Sequence, residues 1–245
     1  MRRFVLAMLS ATAMSAAAGA ADLPVKAPVA PIVTHYNWTG CYIGGHAGAG
    51  WARTEWTNTA DTTAFGDLVP GNGFTQTNSG FVGGGQLGCN YQVNQWVFGI
   101  EGTFAGSTIK GDLTNTVFGA GLDDVFTNRI NSIATVTGRL GYAWNNWLLY
   151  AKGGYAGASV KFSVSDTAGA NQGSGSQTHW HNGWTVGAGL EYGLTPNWIL
   201  GLEYNYIGLQ TKSYDVAGAS AGVYTFDVKP RIHEVLARLS YKFWP

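Results

Sequence analysis

IHEVLARLSYKF, at residues 232–243, alternates from side to side and closes on an aromatic. Successive side chains of a β-strand point to opposite faces. Val235, Ala237, Leu239, Tyr241 and Phe243 therefore share one face, and Glu234, Leu236, Arg238, Ser240 and Lys242 the other. One such strand fits a soluble core. Seven more like it, behind an export signal, point to a closed barrel in an outer membrane.

The export signal is read at residues 1–21. Arg2 and Arg3 supply the positive start, the run from Phe4 to Ala18 is apolar, and Ala18, Gly19 and Ala20 give a small-residue cleavage pattern. The cut falls after Ala20 or Ala21. Residues 22–37 then form a proline-rich leader without periodicity, read as a periplasmic spacer. Residues 38–245 are assigned to the barrel.

Composition supports this class. The whole chain holds 14 basic and 14 acidic residues. Without Arg2 and Arg3 the balance is 12 against 14, a net charge of −2. No basic stripe marks a nucleic-acid surface, so nucleic acid is not expected as a partner. Charged residues make up 11% of the chain and aromatics 13%, with 36 glycines. Such a charge content is well below that of ordinary soluble domains and suits a lipid-facing surface with aromatic girdles. After the export signal no apolar run is long enough for a membrane helix, which leaves a barrel as the spanning solution.

Alternation predicts eight strands, near 38–51, 80–91, 96–106, 132–144, 147–157, 183–192, 198–207 and 232–243. Their connections alternate in length. The stretches 92–95, 145–146 and 194–197 are short; 52–79, 107–131, 158–182 and 208–231 are long. Short periplasmic turns and long extracellular loops are the rule for such barrels, and put both termini in the periplasm. Asn145-Asn146 suits a tight hairpin because asparagine tolerates positive φ. Tyr91, Trp96, Trp144, Trp147, Tyr192 and Trp198 flank the short turns. Together with Trp38 and Phe243 they are read as the periplasmic girdle. A soluble β-sandwich accounts for strands and turns, but not for a charge-free outer face on every strand.

The runs WTGCYIGGHAGAGW (38–51), GFVGGGQLGCNYQ (80–92), AADLP (20–24), VTGRLGYAW (136–144) and LSYKF (239–243) resemble a family of small outer-membrane barrels of Alphaproteobacteria. Its members are called outer-membrane immunogenic proteins or porin-family proteins. The resemblance covers essentially all of the chain after the export signal. It implies an eight-stranded barrel like the transmembrane part of outer membrane protein A. It also implies a structural envelope protein, surface antigen, small-solute porin or haem binder. The surroundings would be outer-membrane lipid and lipopolysaccharide. Periplasmic chaperones and the barrel-assembly machinery would be folding partners. Such chains usually finish on the aromatic that the machinery reads. Here Trp244 and Pro245 follow Phe243, so either two extra residues are tolerated or Trp244 takes that role.

Glu101, Arg139, Lys152, Glu191, Glu203 and Arg238 all fall on inward parity. With a two-residue turn at 145–146, Arg139 faces Lys152, which is unfavourable unless carboxylates flank the pair. Glu101 and Glu191 supply them, and Glu203 and Arg238 can pair as well. A narrow lumen filled by a structural ion network is one reading. A gate that opens by exchange of partners is the other. His179 and His181, in the third long loop, could ligate haem iron or a divalent metal. The bland alternative is an ordinary loop root. Cys41 and Cys89 share the outward face of adjacent strands, leaving either a cross-strand disulfide or two lipid-facing thiols. Loop carboxylates such as Asp123, Asp124, Asp166 and Asp227 have no accompanying base or nucleophile, so no enzyme is expected; beyond the His179 and His181 alternative, no cofactor or metal is expected. The barrel is expected to be monomeric or weakly associated. Two function classes stand: a structural envelope barrel with at most narrow pore activity, or a surface binder of haem or a host ligand.

Overall fold

A computed structural model describes residues 36–61, 73–114, 125–165, 174–217 and 223–243. The export signal, most of the leader, Asp123, Asp124, Asp166, Trp244 and Pro245 lie outside the described residues.

Among the described residues alternation becomes ten strand segments: β1 (Gly40–Asp61), β2 (Gly73–Val93), β3 (Trp96–Ser107), β4 (Lys110–Thr114), β5 (Val125–Trp144), β6 (Trp147–Ser165), β7 (Ser174–Gly193), β8 (Trp198–Leu209), β9 (Lys212–Ala217) and β10 (Val223–Lys242). Breaks at 108–109 and 210–211 divide two long strands into β3 with β4 and β8 with β9. The wall therefore has eight staves. Neighbouring staves pair antiparallel, and β1 pairs with both β10 and β2, closing the barrel.

Hairpin chemistry sets the register at one end. Asn94 and Asn145 adopt positive φ, 55° and 51°, at the first two-residue turn positions. Val93 then faces Trp96, and Trp144 faces Trp147. The first turn is thus two residues long, shorter than the 92–95 connection predicted.

At the other end the strands run far past their predicted limits. Much of the stretches read as loops, including 52–61, 73–79, 125–131, 158–165, 174–182 and 223–231, is paired strand. Outward positions there carry Thr75, Thr77, Arg129 and Ser163 in place of apolar residues. Pairing continues while the apolar signature used to recognise it stops. Bulges between Asn58 and Ala60 and between Ile130 and Ser132 mark this transition.

The ring also changes form beyond the transition. β4 pairs β5 over its length but β2 only at Ser79 and Lys110. β9 pairs β10, whereas the pairing of β7 with β8 stops at Gly183 and Leu209. Two four-stranded sheets result, β2-β1-β10-β9 and β4-β5-β6-β7, separated by two seams.

The outer wall is apolar as alternation requires: Phe81, Leu87, Ile100, Phe104, Val136, Leu149, Leu200 and Leu202 are all exposed. Tyr91, Trp96, Trp144, Trp147, Trp198 and Phe243 ring the turn end. Aromatic pairs tie neighbouring staves there, with centroids 4.7 Å apart for Trp147 and Tyr192 and 5.2 Å for Trp198 and Tyr241. Trp38 corrects the girdle reading. It is 1% exposed and lies inside the barrel. Its even number shares the inward parity of Tyr42 and His46, which the girdle assignment ignored.

Candidate functional site: a sealed lumen

The interior is layered. At the turn end, Tyr36, Trp38, Val97, Ala143, Leu148, Tyr150 and Ile199 form an apolar floor. The chain before β1 folds into this end. Trp38 N donates to Gln92 Oε1 at 2.8 Å, and Lys242 donates to Asn37 O with its ammonium 4.4 Å from the Tyr36 ring. Toward the hairpin end, Ala52, Val82, Ala105, Ile130, Ile133, Ala156, Val160, Ile207 and Ile232 belong to a second apolar cluster.

Between these layers lies the charge network. Arg139 on β5 reaches Glu101 at 3.2 Å and Glu191 at 2.9 Å. Lys152 on β6 reaches Glu101 at 3.2 Å and Glu203 at 2.7 Å. Arg238 on β10 binds both Glu101 and Glu203. Every one of these side chains is buried. Register brings Arg139 opposite Lys152, and the carboxylates of β3, β7 and β8 flank the pair. Three cations meet three carboxylates, so each unit charge has a counter-charge within the layer.

Tyrosines that parity alone did not single out complete the network. Tyr42 donates to Glu101 Oε2 at 2.7 Å and accepts from Arg139 Nη1. Tyr150 donates to Glu203 Oε2 and accepts from Arg238 Nη1 at 2.9 Å. The Arg139 guanidinium also lies 3.9 Å from the centroid of the Tyr150 ring, a cation–π distance. Glycine makes room for both phenols. A Cβ on Gly189 would lie 2.4 Å from the Tyr150 hydroxyl, and one on Gly88 would lie 2.5 Å from that of Tyr42.

Further up, Asn205 Nδ2 donates to Glu203 Oε1 at 2.9 Å and lies 3.5 Å from Glu234 Oε2. His46 Nδ1 sits 2.7 Å from Gln86 Oε1, and Gln86 Nε2 donates to Ser240 Oγ at 3.1 Å. Glu234 shares the inward face of Arg238 but was absent from the predicted ion set. Alternation along β10 was the signal that could have included it.

His179 and His181 lie on β7, not in a loop, because that strand begins at Ser174. His181 is buried. Its Nε2 is 2.5 Å from the Tyr214 hydroxyl and its Nδ1 is 3.2 Å from Gln210 O. The carbonyl can only accept, so Nδ1 carries the proton. Burial pushes the Tyr214 hydroxyl up to about 12, so at neutral pH that phenol is neutral and donates to Nε2. Both ring nitrogens of His181 are thus engaged. His179 stays exposed with its ring edge-on to Tyr214. Among the described residues no group of three or more metal-binding side chains converges.

Cys41 and Cys89 face each other in register and are joined by a disulfide. It staples β1 to β2 near the turn end, on the outer wall.

The family model for the outer membrane protein β-barrel domain matches residues 4–243. The 31 kDa outer-membrane immunogenic protein of Brucella melitensis is 34% identical, over 99% of this chain and 100% of its own length. The 22 kDa outer membrane protein of Rhizobium leguminosarum is also 34% identical, over 78% of this chain and 74% of its own. Among solved structures, the outer membrane protease OmpT of Escherichia coli superposes with a TM-score of 0.51 at 9% identity, covering 83% of this chain and 97% of its own. That likeness is one of fold alone. The match over nearly the whole chain shows that this protein belongs to the outer membrane protein β-barrel family.

Proposed function

We propose that this outer-membrane protein is a plugged structural barrel that displays its hairpins at the cell surface and conducts no solute. One observation carries the reading: the buried charge layer lies between an apolar floor and an apolar ceiling. An aqueous path needs continuous polar lining, and apolar side chains interrupt it on both sides of the charge layer; the buried Thr54, Gln76, Asn78 and Asn128 lie beyond the upper apolar cluster. Ion pairs inside a narrow barrel are bound to each other, not to passing solutes.

Both termini are placed in the periplasm with the short turns, and the opposite strand ends, such as Asp61, Gly73, Ser165 and Ser174, face outward. Chaperones and the assembly machinery handle the chain on its way in. Relatives are named as immunogenic, and the hairpin end is the part of this chain that antibodies would meet. No enzymatic role is assigned. Haem ligation by His179 and His181 is not adopted, because both nitrogens of His181 already have partners.

Planar-bilayer recording of the refolded protein tests this. The expected result is a silent bilayer from protein shown to be folded and inserted. Discrete single-channel openings that change with Arg139→Ala would replace the plug by a gated pore.

A further inference from the structure

Above the last lipid-facing aromatics, three cations stand side by side on the outer wall. Lys110 of β4 pairs in register with Arg129 of β5, and Arg129 with Lys161 of β6. All three are exposed. Their neighbours Ile109, Ile130, Val160 and Phe162 are buried, so the three charged chains point outward together. Adjacent strands are about 4.8 Å apart, so the three side chains leave the wall within about 10 Å of one another.

Like charges directly opposite each other on a sheet are destabilising. Among the described residues the only carboxylate within ion-pair distance is Asp112, 3.1 Å from Lys110. A hydrogen bond from Thr127, then Lys110, holds that carboxyl below its usual range. It stays ionised, and the cluster keeps a net charge of +2. Arg129 and Lys161 have no carboxylate of their own among the described residues.

Height supplies the second observation. Ser159 of β6 faces Trp180 of β7, and Lys161 faces Thr178, one outward row farther on. Trp180 is exposed, with its indole Nε1 3.4 Å from the Tyr155 hydroxyl. Tryptophan and tyrosine of this kind sit at the level where acyl chains meet headgroups. The next outward row is therefore level with headgroup phosphates.

We propose that Lys110, Arg129 and Lys161 form a binding site for the phosphorylated headgroup of the outer-leaflet glycolipid, the lipid A part of lipopolysaccharide. This rests on the outer-membrane placement and orientation given above. Arg129 supplies a planar fork suited to two phosphate oxygens, and the lysines supply flanking point charges. The site holds one lipid against β4, β5 and β6, beside the seam between β2 and β4.

Vesicles of phosphatidylcholine carrying lipid A, dephosphorylated lipid A or phosphatidylglycerol test the site. Wild type and a Lys110→Gln, Arg129→Gln, Lys161→Gln triple variant are inserted and extracted in mild detergent, and the retained lipid is counted by mass spectrometry. Protease-protected insertion is read first; a wild type that does not insert overturns the membrane placement itself. The expected result is that wild type retains lipid A about tenfold or more above the triple variant, with no difference for the dephosphorylated form. Lys229→Gln, which removes an exposed cation already opposite Glu55, leaves retention unchanged. Equal retention by wild type and triple variant overturns the site. So does equal retention of phosphatidylglycerol, which would reduce it to a generic attraction for anionic lipid.

Discussion

Glu101 of β3 and Arg238 of β10 meet inside the barrel although 137 residues separate them, with Arg238 Nη1 3.2 Å from Glu101 Oε1. Two strands, β2 and β1, stand between theirs around the wall. The pair exists only because the sheet closes. Glu101 also binds Arg139 and Lys152, which makes it the hub of the network.

Glu101→Gln removes that hub charge and leaves three buried cations facing two carboxylates. Breaking a buried pair by neutralising one partner costs about 3–5 kcal/mol. The expected outcome is a clear fall in the urea midpoint of the folded barrel in lipid vesicles, followed by tryptophan fluorescence. An unchanged midpoint would show that the network does not stabilise the lumen.

Gly189→Ala and Gly138→Ala make a matched pair. The first methyl would collide with Tyr150 at 2.4 Å, whereas a Cβ at Gly138 meets nothing within 4 Å. Moving Tyr150 disturbs its bonds to Glu203 and Arg238, so Gly189→Ala costs about 1–3 kcal/mol, as overpacking does. Gly138→Ala is neutral or slightly stabilising, because alanine leaves less backbone freedom to lose. Equal effects in the same unfolding assay would refute the packing argument.

Trp38→Ala empties the floor of the barrel. A large-to-small change at a fully buried aromatic costs about 3–5 kcal/mol. Brominated acyl chains provide a second check, since they quench girdle tryptophans such as Trp96 and Trp198 by contact. They leave Trp38 emission intact if it sits in the lumen, so the bromine-resistant fraction falls in Trp38→Ala.

Cys41 and Cys89 resist maleimide in denaturant until reductant is added, as the disulfide requires. Replacing both by serine lowers stability by about 2–4 kcal/mol, the usual effect of a cross-link on the unfolded chain. Labelling of either thiol without reductant would count against the bond.

Tyr214→Phe removes the hydroxyl that bridges β9 to His181 across the seam. The net loss is about 0.5–1.5 kcal/mol, local to the hairpin end. Hydrogen exchange on β7 should therefore quicken near His181 and stay unchanged near Glu191. Uniform exchange along β7 in both proteins would mean the seam is not held by this contact.

Alternation by itself determined the staves, their order and their inward faces, since a period of two admits only two faces. Trp144 opposite Trp147, and with it Arg139 opposite Lys152, followed from one asparagine turn. Alternation lost the outer halves of the staves, where threonine and serine take the outward positions and pairing no longer has an apolar signature. It also left Cys41 and Cys89 open between two states, since a shared face does not say whether two thiols are within bonding reach. Only the tertiary structure decided that Trp38 closes the floor, that Tyr42 and Tyr150 complete the ion layer, and that the wall parts into two sheets. Those contacts join residues from non-adjacent strands or from a chain segment folded inward. Local periodicity says which way a side chain points, but not which side chains it meets once the ring has closed.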